Sequence, residues 1–188
     1  MKENTGKTKY VILGLLAHNP QTGYTIKKAI EYEYRHFWQE SYGQIYPTLK
    51  RLADEGLAVS SGASEESDGR AQKIFSITDA GTAELRKWLS EPPEIEKIRY
   101  ELLLKVSFAS NTDPEVIIGH LDDFIRRNEK MIKDLDGFGK IYQNLKNQGE
   151  DHFGSELTAL CGKYIYTAMI DWAVEAKKII SNRKAEQI

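Results

Sequence analysis

Gly43-Gln44-Ile45-Tyr46-Pro47-Thr48-Leu49-Lys50-Arg51-Leu52, running on to Glu55-Gly56-Leu57, decides the fold of this chain. At about 100° per residue, Ile45, Leu49 and Leu52 fall on one stripe of a helix. Lys50, Pro47, Arg51 and Gln44 fall on the opposite side, with Tyr46 at its edge. The pattern predicts a helix over 41–55 that buries an aliphatic stripe and turns a polar, basic face outward. Ser41 and Gln44 stand at capping-box spacing. Gly56 supplies the residue type that ends helices in the left-handed conformation. Pro47 removes one backbone donor and should loosen the first turn.

On the N-terminal side, Tyr10-Val11-Ile12-Leu13-Gly14-Leu15-Leu16 predicts a short apolar helix, ended by His18-Asn19-Pro20. Thr22 caps a second helix over 23–34. On the C-terminal side, Leu57-Ala58-Val59-Ser60 and Gln72-Lys73-Ile74-Phe75-Ser76-Ile77 predict the two strands of a hairpin, with a polar tip over 62–69. Thr78 then caps a linking helix over 79–89. Three helices followed by a hairpin is the order of a winged helix-turn-helix, whose last helix of the set enters the major groove. The fold expected is therefore mainly α: a winged helix-turn-helix of three helices, a two-stranded wing and a linking helix, with a helical domain after it.

Lys50 and Arg51 on the outward helix face, Arg70 and Lys73 at the hairpin, and Lys27 on the second helix are the residue types that position phosphate. Tyr42, Gln44 and Tyr46 are placed to approach bases or the sugar-phosphate wall. Glu65, Glu66 and Asp68 repel phosphate from the same tip, so only part of the wing is expected to touch DNA.

The charge balance first argues against a nucleic-acid partner. The 188 residues carry 26 Lys+Arg against 28 Asp+Glu, a net of -2, without the overall basic footprint usual for such proteins. The balance is uneven, however. Residues 1–90 hold 12 basic and 11 acidic side chains, and residues 91–188 hold 14 and 17. The acidic excess thus lies in the half that a duplex need not touch. The expectation is a modest positive patch, with specificity carried by dimer geometry.

Ser90-Glu91-Pro92-Pro93 reads as a hinge, dividing a DNA-binding domain over 1–90 from a helical dimerisation and effector-response domain over 91–188. Thr112 or Asp113 caps a helix that starts at Pro114. In that helix Ile117, Leu121, Phe124, Asn128, Met131, Leu135, Phe138, Tyr142 and Leu145 recur at spacings of 4 and 3. That is a coiled-coil seam, in which a polar Asn128 can set register; packing of one amphipathic helix within a subunit gives the same spacing. A last helix over 155–181 carries Leu157, Leu160, Tyr164, Ile165, Ala168, Met169, Trp172, Ala173, Ala176 and Ile180 around most of its circumference. So wide an apolar face predicts contact with its own domain and with a second copy. Leu121, Phe124, Asn128, Met131, Leu135, Tyr164, Ala168 and Trp172 are the expected dimerisation residues.

No catalytic constellation is apparent. His18, His36, His120 and His152 are scattered and lack metal-ligand spacing, there is no Gly-rich phosphate loop, and no cofactor is expected. Cys161, the single cysteine, is expected to pack inside the last helix. Tyr32, Tyr34, Phe37 and Trp38, with Trp88, Tyr164 and Trp172, are the candidates for stacking on a flat ligand. No apolar run reaches the roughly 20 residues of a membrane span, and Met1 to Lys9 carries no signal-peptide pattern. The cytoplasm is the expected compartment.

These fragments, in this order and spacing, resemble the PadR family of bacterial transcriptional regulators. The resemblance rests on the apolar run from Tyr10, Gly23-Tyr24-Thr25-Ile26, Trp38, the stretch from Gly43 to Leu52 and Glu55-Gly56-Leu57. Gly69-Arg70-Ala71-Gln72-Lys73-Ile74-Phe75-Ser76-Ile77-Thr78-Asp79-Ala80-Gly81 and Leu85 to Leu89 extend it. Tyr100-Glu101-Leu102-Leu103-Leu104-Lys105-Val106-Ser107-Phe108 is similar to the start of the helical C-terminal domain in the longer subfamily, shared with virulence activators. The resemblance implies a homodimeric DNA-binding regulator, usually a repressor, often released by a small aromatic or phenolic effector. Two other readings fit the composition: a winged helix serving only as a protein-interaction module, and a small-molecule carrier with vestigial DNA binding.

Overall fold

The computed structural model describes residues 6–38, 42–65, 71–147 and 152–185. The chain forms two compact units, Met1–Ile95 and Glu96–Ile188. Among the described residues no helix is long and apolar enough to cross a membrane.

The N-terminal unit runs α1 (Thr8–His18), β1 (Gln21–Thr22), α2 (Gly23–Ala29), a π turn (Ile30–Tyr34), α3 (Tyr42–Asp54), β2 (Ala58–Glu65), β3 (Ala71–Ile77) and α4 (Asp79–Ser90). The aliphatic stripe expected of α3 is its buried face: Ile45, Leu49 and Leu52 are all at or below 1% exposure. They join Ile12, Leu13, Leu15 and Leu16 of α1, Ile26 and Ile30 of the second helix, and Ala58 and Phe75 of the sheet in one core. Each such aliphatic side chain contributes roughly 1.5–3 kcal/mol by leaving water.

Local chemistry ends the elements where the residues require. Thr22 and Thr25 form a reciprocal capping box at the start of α2. Gly56 adopts φ +72° after α3. Its N–H donates to the Ala53 carbonyl and that of Leu57 to the Leu52 carbonyl, the paired bonds of a Schellman ending. The Thr78 hydroxyl donates to the Gly56 carbonyl at 2.7 Å and accepts from the Gly81 N–H at 3.0 Å, tying the start of α4 to the exit of α3.

Two features differ from the expectation. The sheet has three strands, in the order β1-β3-β2, because Gln21 and Thr22 pair antiparallel with Phe75 and Ile74. Two residues carry no readable alternation, which is why β1 is invisible in the sequence. The hairpin is also longer than expected. β2 reaches Glu65 through a register shift at Gly62, which takes φ +64° between Ser61 and Ala63. The tip beyond it, residues 66–70, lies outside the described residues.

The C-terminal unit contains α5 (Glu101–Ser107), a 3-10 turn (Ala109–Asn111), α6 (Pro114–Asn147) and α7 (Phe153–Ala185). Asp113 caps α6 by accepting the Glu115 N–H at 2.9 Å. The α6 seam is filled by α7 of the same chain. Ile117, Leu121 and Phe124 pack with Ala173, Met169, Trp172 and Ala176, and Leu135, Phe138 and Tyr142 pack with Ala159 and Tyr166. Ion pairs Lys177–Asp122 and Lys163–Asp136, the latter at 2.6 Å, hold the two helices in a single antiparallel register. Asn128 is buried and satisfied within its own helix, its side-chain N–H donating to the Phe124 carbonyl at 2.8 Å. The 4-3 spacing therefore reports a hairpin of two helices inside one chain.

Candidate nucleic-acid interface

With Ile45, Leu49 and Leu52 sealed into the core, α3 presents its other face to solvent. Lys50, Arg51, Pro47 and Tyr46 are exposed and Gln44 is half-buried. Arg51 sits 3.9 Å from Glu55 one turn on, with both side chains about half-exposed. Surface pairs of this kind contribute about 0–1 kcal/mol, so Arg51 can exchange Glu55 for a phosphate at small cost. Lys50 has no ion-pair partner among the described residues. Both side chains are thus available cations on one helix face.

Tyr46 is held from below. Its ring lies against the backbone of Gly23 at the start of α2, so close that a Cβ on Gly23 would stand 2.5 Å from Cε1 and 2.8 Å from Cζ. The tyrosine is nevertheless 57% exposed. One side of the ring therefore rests on the turn between α1 and α2, and the rest faces outward beside Lys50. Gly23 was a missed participant. The signal for it is a glycine at the first position of a helix, where Thr22 already supplies the cap.

The other expected contact residues divide. Lys73 is exposed on the wing strand β3, while Lys27 is half-buried in the last turn of α2. Tyr42 begins α3, but its side chain lies outside the described residues. Arg70 also lies outside them, as do Glu66 and Asp68, the Glu65 side chain and the Ser41 cap.

Behind this surface, α1 and α4 are joined by a cluster of aromatic and charged groups. Tyr10 stacks on Trp88 with ring centroids 4.5 Å apart and planes 7° apart. Lys9 Nζ lies 2.7 Å from Glu84 Oε1, and the Tyr10 hydroxyl donates to the same oxygen at 3.2 Å. The hydrogen bond from Lys9, and then its charge, hold the Glu84 carboxyl below the usual range. Burial pushes the Lys9 ammonium down, but its hydrogen bond to Glu84 and the neighbouring Tyr10 carry it above its ordinary value. Lys7 pairs with Glu94 at 3.1 Å just past the two prolines.

The aromatic candidates for stacking on a ligand mostly serve the fold. Trp88 is covered by Tyr10, Trp172 meets Phe124 edge-on, and Tyr34 meets Phe37 edge-on. Burial, then the charge of Glu33, push the Tyr34 hydroxyl up to about 12. Tyr32 and Tyr164 are exposed.

The expected dimerisation residues also divide. Leu121, Phe124, Asn128 and Leu135 are buried within the chain, and Met131 and Trp172 are partly buried against the same cores. Their seam is occupied by α7 of the same chain. Tyr164 and Ala168 are exposed on α7. Cys161 is exposed rather than packed inside, because it sits on the side of α7 opposite Ala159 and Tyr166.

Two family models match the chain, one on each unit. The model of the transcriptional regulator PadR-like family matches residues 12–87, and that of the virulence activator alpha C-terminal region matches residues 98–181. The negative transcriptional regulator PadR of Bacillus subtilis is 32% identical over 130 residues, covering 69% of this chain and 71% of the relative. The crystal structure of Bacillus subtilis PadR in complex with operator DNA matches with a TM-score of 0.78 at 28% identity, over 92% of this chain and 96% of that one. The structure of the same regulator in complex with p-coumaric acid matches with a TM-score of 0.72 at 27% identity, over 96% and 99%. This chain belongs to the PadR-like family of transcriptional regulators.

Proposed function

We propose that the protein is a homodimeric, sequence-specific DNA-binding repressor that recognises a near-palindromic operator and is released by a small aromatic or phenolic effector. Residues 1–90 serve DNA binding, and residues 91–188 serve dimerisation and the response to effector. One observation carries the reading: Tyr46, Lys50 and Arg51 stand exposed on a helix whose opposite face is sealed into the core. A relative of 28% identity is solved on operator DNA, and the same relative is solved with p-coumaric acid, which supports the effector class.

Lys50, Arg51, Lys73, Arg70 and Lys27 contact phosphate in this reading, and Gln44, Tyr46 and Tyr42 approach the bases. Two copies place their reading helices about 34 Å apart, one helical turn of DNA, so half-sites repeat with two-fold symmetry. The effector must bind the DNA-incompetent state more tightly than the bound one, or it shifts nothing. The protein works beside the chromosome, in the cytoplasm, and its chemistry is binding rather than turnover.

Selection of bound fragments from genomic DNA by the purified protein tests this directly. The expected result is a small set of near-palindromic sites, bound far more tightly than their single half-sites and released by p-coumaric acid or a related phenolic. Retention of random fragments with equal affinity would overturn sequence specificity, and retention of no fragment would overturn DNA binding and favour a protein-interaction module. Tight specific binding that no phenolic disturbs would overturn the effector class alone.

A further inference from the structure

The side of α6 that faces away from α7 carries a stripe of positive charge. At about 100° per residue, Arg126, Lys130, Lys133, Gly137, Lys140 and Asn144 fall within about 40° of one line, opposite the buried Leu135. All six are exposed. Their spacing of four and three keeps the line nearly straight along about 27 Å of helix, at about 1.5 Å per residue. No carboxylate falls on it between Arg126 and Asn144. Carboxylates stand instead along both edges, Glu129 and Asp136 on one side and Asp123 and Asp134 on the other. Residues 126–147 hold six basic and three acidic side chains, within a half of the chain that holds 14 and 17. The cations of the C-terminal half are therefore gathered rather than scattered.

Two observations separate this stripe from an ordinary solvated face. Such faces are commonly laced by ion pairs three or four residues apart. Arg126 pairs with Asp123 in that way, and Asp136 is taken by Lys163 of α7. Lys130, Lys133 and Lys140 have no ion-pair partner among the described residues, although Glu129 stands four residues before Lys133 and Asp134 four residues after Lys130. Gly137 is the second observation. Glycine is among the poorest residues for a helix interior, and a Cβ at this one would meet nothing within 4 Å. No contact inside the chain requires it. Between Lys133 and Lys140 it leaves room for a neighbour's backbone to come close.

We propose that this stripe is the docking surface for an acidic amphipathic helix of another protein, one with carboxylates along its centre and cations along its edges. The charge pattern chooses the occupant. The central cations of α6 meet the carboxylates of such a helix, and the edge carboxylates, Glu129 and Asp134 among them, meet its cations. Carboxylates that recur every three or four residues keep step with Arg126, Lys130, Lys133 and Lys140 over about four turns. A nucleic-acid strand is a continuous row of negative charge. It has no cation to set against the edges, and phosphates lying over them are repelled. Exposed ion pairs are individually weak and are screened by salt, so the docking is transient and falls with ionic strength.

The test uses the full chain and two synthetic helical peptides of identical composition. In one, glutamates form a central stripe at spacings of four and three, with lysines along both edges. In the other, the same residues are dispersed around the helix. Fluorescence anisotropy should show the striped peptide binding at least tenfold more tightly than the dispersed one, with affinity falling as salt rises. Lys130→Gln, Lys133→Gln and Lys140→Gln together should abolish that preference and leave helicity by circular dichroism unchanged. Gly137→Gln should raise the melting temperature, because it strengthens the helix, while weakening the striped peptide several-fold; a purely structural glycine would not part the two readouts. Equal binding of the two peptides, or binding of neither, overturns the proposal. So does a triple variant that binds random duplex DNA more weakly than the wild type and with a smaller salt slope, which would assign the stripe to nucleic acid instead.

Discussion

The ring of Tyr46 lies on the backbone of Gly23, and nothing larger than a hydrogen fits between them. A residue on the reading face of α3 is thus supported by the first residue of α2. Gly23→Ala must push the ring outward or shift α2. Because the ring is more than half exposed and can swing outward, the cost lies at or below the lower end of core overpacking, about 1 kcal/mol. The melting temperature should fall and operator affinity with it. Tyr46→Ala should restore the stability of the Gly23→Ala protein but not its DNA binding. A thermal-melt double-mutant cycle reads that coupling, and additive losses would show that the two residues do not act together.

Lys50→Ala and Arg51→Ala should each weaken operator binding several-fold without changing the melting curve by more than a degree or two. Each should also reduce the slope of log affinity against log salt by about one, the signature of one lost phosphate contact. Fluorescence anisotropy over a salt series measures both. An unchanged slope would remove the residue from the interface.

Gly81→Ala should be among the most damaging single-methyl changes in the N-terminal unit. Its Cβ would stand 2.0 Å from the Leu57 carbonyl oxygen and 2.9 Å from Ile77 Cγ1. Both neighbours belong to the junction of wing and linking helix, and the nearest is backbone. A cost of about 2 kcal/mol or more follows from overpacking. For a unit of this size that lowers the melting temperature by roughly 8–16 °C. Differential scanning calorimetry of the variant checks it.

The Lys9–Glu84 pair should give the N-terminal unit a defined pH response. Glu84 titrates below its ordinary range in the folded chain. Its contribution is present above the unfolded carboxyl pKa and is lost as pH falls through the depressed folded value. Lys9 titrates above its ordinary value when folded. Its contribution is present below the unfolded lysine pKa and is lost as pH rises through the raised folded value. Glu84→Gln should flatten part of the acid limb of stability against pH and lower the alkaline midpoint of Lys9. Urea melts between pH 3 and 6 read the first, and an NMR titration of the lysine side chain reads the second.

Much of the N-terminal unit was legible because its signals are local. The buried stripe of α3 is a spacing of four and three, the caps at Thr22 and Thr78 are single side chains before helices, and Gly56 stands where a left-handed residue must. What escaped depends on distant pairing. β1 exists only because β3 offers it an open edge. Gly23 matters only because Tyr46, from another helix, arrives above it. The α6 seam shows the opposite limit: Leu121 and Leu135 stand at the spacing of a dimer seam, and both are buried against α7 of the same chain. A spacing states that a face is buried, but not whether its cover comes from the same chain. Cys161 was misjudged for a related reason. α7 is apolar nearly all round, so periodicity could not separate the side that meets Ala159's neighbours from the side that faces water.

Gln21 and Thr22 pair with Phe75 and Ile74 of the wing, Thr22 caps α2, and Gly23, next in the chain, carries Tyr46. Three consecutive residues therefore clamp the wing, the second helix and the reading helix into one stiff plate. A tilt of β3 is transmitted to the floor beneath Tyr46 with no loop in between to absorb it. In the proposed function, wing and helix then act on the duplex as a single tool, and a mismatch of shape at the operator is taken up by the DNA.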